Sequence, residues 1–238
     1  MKVDLTPCYI LHSRDYRESS LILEVMSREY GRVSLVAKGA KRNKKHQGIN
    51  FNLYQKYLMS WVSRSELGTL IDVEIASTMN SMSPQQMMTG FYMNEIVLRL
   101  LHKHESHPEL FDSYDATIFE LAADNTDQAL LRYFEKILLQ SLGYGVIFDQ
   151  DQSTGSPVVA GDNYYYKLDI GPCSDVQANG IVVSGKTLIE LNNETLLDNK
   201  NKNEAKILLR SLLKQYLGDK PLASRQLYEA YIKNKLTS

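Results

Sequence analysis

Cysteine is scarce in this sequence: Cys8 and Cys173 lie far apart in a chain of 238 residues, and no CxxC pair occurs. Two isolated thiols supply neither a disulfide framework nor the four ligands of a thiolate zinc site, so structural zinc is not expected. Long apolar runs are missing too. Each is cut by a charged or polar residue well short of the ~20 residues that a membrane span needs, and residues 1–12 have neither the core nor the cleavage site of a signal peptide. The expected location is the cytoplasm, away from membranes. Catalytic frames are absent as well. There is no GxxxxGK[ST] loop, no GxGxxG after a strand, no GxSxG elbow and no HExxH helix, so ATP, dinucleotide, acyl-serine and zincin chemistry lack their settings. The remaining composition, 43% hydrophobic and 23% charged, excludes a disordered chain.

The net charge of −1 conceals a partition: residues 1–80 carry +4, residues 81–199 carry −11 and residues 200–238 carry +6. A polyanion should therefore meet the two ends of the chain rather than its middle. Acid is missing altogether between Glu29 and Glu66.

The first third reads as five short strands, at 8–12, 21–27, 32–38, 52–62 and 69–77, with Gly31, Gly39, Gly48 and Gly68 between or beside them. Five strands with one long basic connection after the third predict a small Greek-key barrel of the OB type. An SH3-like barrel needs a similar number, and spacing does not separate the two. At Ser83-Pro84 the period becomes helical: Met87, Met88, Phe91, Tyr92, Ile96, Val97 and Leu100 recur three and four residues apart. A second helix follows Pro108, and a third runs over 127–142 with Gly143 placed to stop it. These three are expected to pack as a bundle. Residues 149–163 are polar and turn-rich, and 164–168 and 180–184 read as a small hairpin, an insertion at about 149–184. Helical period returns at 187–191, 203–217 and 224–236. The expected fold is α+β: an N-terminal five-stranded OB-type β-barrel over 1–80, then over 81–238 a mainly α-helical domain with a small β-hairpin insertion.

Candidate chemistry is sparse. His102, His104, Glu105, His107 and Glu109 could ligate a transition metal only from a loop, because on a continuing helix His102 and His104 point about 200° apart. The plainer reading is a solvated helix end before Pro108, and neither metal nor cofactor is assigned. Lys38, Lys41, Arg42, Lys44 and Lys45 place five permanent cations within eight residues, beside Gly39 and Asn43, which favour a loop. Such a loop is an electrostatic site for phosphates, or else a merely soluble surface loop. Phe51, Tyr54, Tyr57 and Trp61 could offer stacking faces. Strand alternation sets Tyr54 apart from the other three, and most of the set is expected in the core. Near the C-terminus, Lys202, Lys206 and Arg210 share a helix face at i, i+4, i+8, which makes either a second polyanion contact or a solvated surface.

Four segments carry a resemblance: YILHSRDYRESSLILEVMSREYGRVSLVAKGAKR at 9–42, FYMNEIVLRLL at 91–101, LRYFEKILLQSLGYG at 131–145 and LGDKPLASRQL at 217–227. They resemble the bacterial RecO family of DNA repair and recombination mediators, and the pairing of the GRVSLVAKGAKR strand and loop with a distant LGYG helix end is the most specific mark. The resemblance implies an OB-fold, a helical domain and no catalytic residues. It further implies binding of single- and double-stranded DNA, annealing of complementary strands, partnership with RecR, and help in loading RecA onto strands coated by single-stranded DNA-binding protein (SSB), with the protein at the nucleoid when on DNA. Many members carry four cysteines in CxxC pairs after the LGYG segment, whereas residues 149–184 here hold only Cys173. The hairpin would then be held by Val158, Val159, Tyr164, Tyr166, Ile181 and Val183. The resemblance also implies that the helical domain receives the acidic C-terminal tail of SSB. Arg132 and Lys136, beside Leu139 and Leu142, are the candidate seat; the alternative is that Arg132 pairs with Glu135 while Lys136 stays solvated. An RNA-binding OB protein and an enzyme of unrecognised chemistry remain as rival functions.

Overall fold

The computed structural model describes residues 1–42, 50–77, 80–144, 146–175 and 180–237. Strands β1 (Lys2–Tyr16), β2 (Ser20–Ser27), β3 (Gly31–Ala37), β4 (Lys56–Val62) and β5 (Leu67–Ile75) close into a barrel in the order β1-β2-β3-β5-β4. Strands β3 and β5 run parallel and the other neighbours antiparallel, which is the OB-type arrangement rather than the SH3-like one. Strand β1 extends well beyond 8–12 in both directions. Its first half pairs with β4 and its second with β2, so one strand closes both seams, and register shifts at Val3/Thr6 and Ile10/His12 bend it round the barrel. Exposed Asp4, His12, Arg14 and Asp15 hide those ends from a hydrophobic pattern. Strand β4 begins later than expected because Tyr54, at φ 67, breaks the extended chain. Inside lie Cys8, Ile10, Leu23, Val25, Leu35, Tyr57, Met59, Trp61 and Leu70, all essentially inaccessible.

Among the described residues six α-helices follow: α1 (Pro84–Leu100), α2 (Pro108–Ala122), α3 (Gln128–Ser141), α4 (Gly185–Asn192), α5 (Asn199–Leu217) and α6 (Ala223–Thr237). Compactness divides the chain into Met1–Asn125 with Pro221–Ser238, and Thr126–Lys220. The first unit thus keeps α1, α2 and α6 with the barrel, whereas a cut at about 80 separates barrel from helices. The three-helix bundle expected of α1, α2 and α3 is not what forms: α3 belongs to the second unit, where it packs with α5.

In the first unit, α1 starts with a capping box between Ser83 and Gln86 and has Pro84 in its first turn. Gly90 admits the ring of Tyr54, since a Cβ there would stand 2.4 Å from that ring, and the Tyr54 hydroxyl donates to the Met87 carbonyl at 2.9 Å. Buried Asn94 donates to the Leu11 carbonyl at 2.9 Å and accepts from Tyr114 of α2 at 2.6 Å. Asp115 of α2 accepts from Tyr9 at 2.5 Å and Lys56 at 2.6 Å, and Arg28 forks onto Asp112 with two bonds of 2.8 Å. Arg32 of β3 donates to the carbonyls of Leu98 and Leu101, and its own carbonyl accepts from His104 at 2.9 Å. Glu95 of α1 accepts from the main-chain N–H groups of Ala223 and Ser224 and from the Ser224 hydroxyl, at 2.6 to 2.9 Å, so a carboxylate holds the positive end of α6.

The second unit holds α3, α4, α5 and a three-stranded sheet, β7 (Gly171–Cys173), β6 (Asn163–Lys167) and β8 (Ile181–Ser184), in the order β7-β6-β8. The expected strands at 164–168 and 180–184 are β6 and β8, paired antiparallel, and β7 is an addition. Val158, Tyr164, Tyr166 and Val183 are buried, Ile181 is half-buried, and Val159 is exposed and so does not hold the sheet by burial. An acid inside the polar stretch supplies what the apolar residues do not. Buried Asp151 accepts from the N–H groups of Ser153 and Ser174 and from the Thr154 hydroxyl at 2.9 to 3.1 Å. Burial raises its pKa, but these bonds outweigh that and hold it at about 2.

Two outcomes are expected. Gly31 has φ 64, and a Cβ there would stand 1.8 Å from the Glu105 carbonyl oxygen, so Gly31→Ala should destabilise the chain by at least about 2 kcal/mol in urea unfolding. Asp151 has a depressed folded pKa, so its contribution is present above its ordinary value of 3.8 and is lost as pH falls toward 2. Asp151→Ala should therefore cost roughly 1–2 kcal/mol at neutral pH, and the gap from the wild type should narrow in acid unfolding between about pH 4 and 2.

Candidate nucleic-acid interface

The connection after β3 leaves the barrel through Gly39, at φ 73, and a 3-10 turn at Ala40–Arg42 whose Ala40 is buried against the barrel core. That anchoring turns Lys38 and Lys41 outward, and both are exposed. The N–H of Lys41 donates to the Ser19 carbonyl at 3.1 Å, and its ammonium lies 2.7 Å from Asp15. The basic connection is thereby tied to the tip of the β1–β2 hairpin, where Arg17 is exposed; Arg14, also exposed, lies on β1 on the face opposite Asp15. Sequence reasoning missed these two arginines, although RDYR at 14–17 carries them either side of a tyrosine. The Arg42 side chain, Lys44 and Lys45 lie outside the described residues.

The aromatics that could offer stacking faces are structural. Tyr57 and Trp61 are fully buried in the barrel, Phe51 packs on the same core, and Tyr54 turns the other way onto α1. The partition matches the one that alternation predicts, although Phe51 and Tyr54 precede β4; Tyr54, Tyr57 and Trp61 are buried and Phe51 is half-buried.

In the second unit, Lys202 pairs with Asp127 at 2.8 Å, Lys206 is half-buried and Arg210 is exposed. Burial lowers the Lys206 pKa, and Arg210 and Arg132 push it further down against the pull of Glu135. The structure therefore draws Arg132 of α3 together with Lys206 and Arg210 of α5, around one acid. The Arg132 side chain is 4% exposed and its Nη1 is 2.6 Å from Oε2 of fully buried Glu135, which is the i, i+3 pairing. Lys136 is not solvated: its ammonium meets Glu194 at 2.7 Å and the Asn192 carbonyl at 3.0 Å. Leu139 is buried and Leu142 half-buried.

Residues 102–107 form the loop between α1 and α2, not a helix end. His104 adopts φ 63 and donates its N–H to Arg32, and the Ser106 hydroxyl donates to the Arg28 carbonyl at 3.1 Å. Among the described residues no group of three or more His, Cys, Asp and Glu side chains is placed to hold a metal ion, and Cys173 is a buried free thiol, so a cysteine zinc site does not fit this chain. Among the same residues no helix is long and apolar enough to cross a membrane.

Residues 1–79 match the family model "Recombination protein O N terminal", and residues 83–226 match "Recombination protein O C terminal". The chain is 42% identical to the DNA repair protein RecO of Nitrosococcus oceani over 234 residues, covering 96% of this chain and 94% of the relative. It is 36% identical to that of Nitrosospira multiformis over 228 residues (94% of each), and 34% identical to that of Actinobacillus pleuropneumoniae over 231 residues (97% of this chain and 96% of the relative).

The ion pair of Arg132 and Glu135 should behave as a buried pair with further cations beside it. Glu135→Gln leaves the guanidinium uncompensated near Lys206 and Arg210 and should cost about 3 kcal/mol in chemical denaturation, whereas the double change Arg132→Met with Glu135→Leu should recover most of that loss.

Proposed function

The chain belongs to the RecO family of DNA repair proteins, and we propose that it anneals complementary single strands and, with RecR, helps load RecA onto SSB-coated DNA. It is a non-enzymatic DNA-binding mediator of repair and recombination. The observation that carries the finer reading is the tip of the β1–β2 hairpin, where the basic connection is tied by Lys41 beside exposed Arg17, with Lys38 exposed at the start of that connection and Arg14 exposed on β1. Arg42, Lys44 and Lys45 follow directly in the chain. Annealing needs no covalent step. Two polyanions repel, a protein that neutralises phosphates on both lowers the barrier to encounter, and base pairing supplies both the free energy and the specificity. Contacts of this kind also serve double-stranded DNA, because a phosphate carries no sequence information.

Lys202, Lys206 and Arg210 are the proposed second polyanion contact. For the acidic tail of SSB, the seat is Arg132 with Lys136, Leu139 and Leu142. Exposed Arg210 and half-buried Lys206 would make the first contact, because Arg132 and Lys136 already hold carboxylates. The proposed place of work is the cytoplasm, at the nucleoid when DNA is bound.

The test is annealing of complementary oligonucleotides coated by the cognate SSB, together with the salt dependence of binding. If about five phosphates are neutralised on a single strand, log K should fall with log salt at a slope of roughly −3.5. Replacing Lys41, Arg42, Lys44 and Lys45 with Ala should flatten that slope and weaken binding to all sequences alike. An unchanged slope would shift the main contact to Lys202, Lys206 and Arg210.

A further inference from the structure

We propose that Tyr16, at the tip of the β1–β2 hairpin, is a base-stacking residue that makes the barrel rim prefer unpaired strands; this rests on the reading of that rim as the DNA site. Cations alone grip phosphates, and a groove that holds single strands without reading sequence adds an aromatic face on which a base can lie. Residues 1–80 contain seven aromatics: Tyr9, Tyr16, Tyr30, Phe51, Tyr54, Tyr57 and Trp61. Six of them are engaged in packing. Tyr9 is buried against Phe111 and Tyr114, Tyr30 sets its edge to Trp61 at 5.4 Å, Phe51 and Tyr57 pack in the barrel, and Tyr54 rests on α1.

Tyr16 is placed differently. It is the last residue of β1, half-buried, and opposite Ser20 at the end of the ladder where the hairpin turns. The next residue, Arg17, takes φ 54 and reverses the chain, which lays its guanidinium over the Tyr16 ring at 5.1 Å from the centroid. The pair presents a π face and a planar cation together, the two groups that stack on bases. Exposed Arg14 lies two residues before Tyr16 on the same face of β1, and Lys41, bonded to Ser19, adds a cation at the hairpin tip for the flanking phosphates. Two acids lie near it in the chain: Asp15, on the opposite face of β1, is bound to Lys41, and Glu18 lies in the turn.

In a duplex both faces of a base are covered by its neighbours, so Tyr16 gains nothing there, while the cations still hold the backbone. The contact therefore favours a strand before it pairs and is given up as it pairs, which lets an annealed product leave.

The experiment measures binding of the full chain, wild type and Tyr16→Ala, Tyr16→Leu and Tyr16→Phe, to three probes of equal length: an oligo-dT strand, an abasic strand with the same phosphates, and a duplex. Tyr16→Ala and Tyr16→Leu should lose about tenfold on oligo-dT and nothing on the abasic strand or the duplex, whereas Tyr16→Phe should bind all three as the wild type does. Unchanged affinity of Tyr16→Ala for oligo-dT would overturn the proposal, and so would equal losses on oligo-dT and the abasic strand, which would mark a structural or purely electrostatic role. Failure of the wild type to bind any of the three would overturn the underlying reading as well, and only that measurement bears on it.

Discussion

An α-helix ends in carbonyls that its own turns cannot satisfy, and at the C-terminus of α1 those of Leu98 and Leu101 accept from a barrel guanidinium, that of Arg32. Its main-chain carbonyl, still in strand β3, accepts from His104 in the loop beyond the helix. Its Nε lies 3.6 Å from Glu24 on the neighbouring strand. Side chain and main chain of one residue thus fix where α1 stops and where the link to α2 begins, and a cation at that end also complements the helix dipole. The fits further along depend on the helices being held there: Tyr54 over Gly90, Asn94 on Leu11, and Asp115 under Tyr9 and Lys56.

The same joint sorts the charges. Of the cations that give residues 1–80 their positive balance, Arg28, Arg32 and Lys56 face the helices and are matched there by Asp112, by carbonyls and by Asp115. The hydrogen bond from Arg28 holds the Asp112 carboxyl below its ordinary range. Acids from the strongly negative middle of the chain are in this way neutralised inside the first unit. Arg14, Arg17, Lys38 and Lys41 stay exposed, Arg17 and Lys41 of them at the tip where β1 turns into β2. The positive field available to a phosphate backbone is therefore narrower, and more local, than a count of lysines and arginines suggests.

Much of this was legible in the sequence because it was written locally. Apolar runs rich in Val, Ile and Leu beside glycines marked β2, β3 and β5, and Pro84 and Pro108 marked helix starts; Tyr54 does turn away from Tyr57 and Trp61, but from a residue at φ 67 ahead of β4 and not by strand period. The strand ends of β1 escaped because most of their residues are polar or exposed and buried Val3 and Thr6 are too few to make a pattern. Asp151 escaped because a buried carboxylate with three donors looks, in sequence, like any acid in a turn-rich stretch. The partner of α3 could not be chosen, because an apolar stripe says that a helix packs and not on which neighbour. For the candidate site, the cations at 38–45 were plain, whereas Arg17 joins them only through the bond from Lys41 to Ser19, a contact across about 20 residues that no spacing rule encodes.

The carboxylate of Glu95 that receives α6 has a consequence for how the protein is made. Helix α1 emerges early in synthesis, but the segment that covers it, Pro221–Ser238, lies beyond the whole of the second unit. During translation at about 5–20 residues per second, a nascent chain holds a barrel with one flank of α1 still bare for some seconds after the barrel strands are complete. The 95 residues from Thr126 to Lys220 are synthesised in that interval. A nascent barrel that reached DNA early would do so without its last helical support, so completion of the first unit is coupled in time to synthesis of the second.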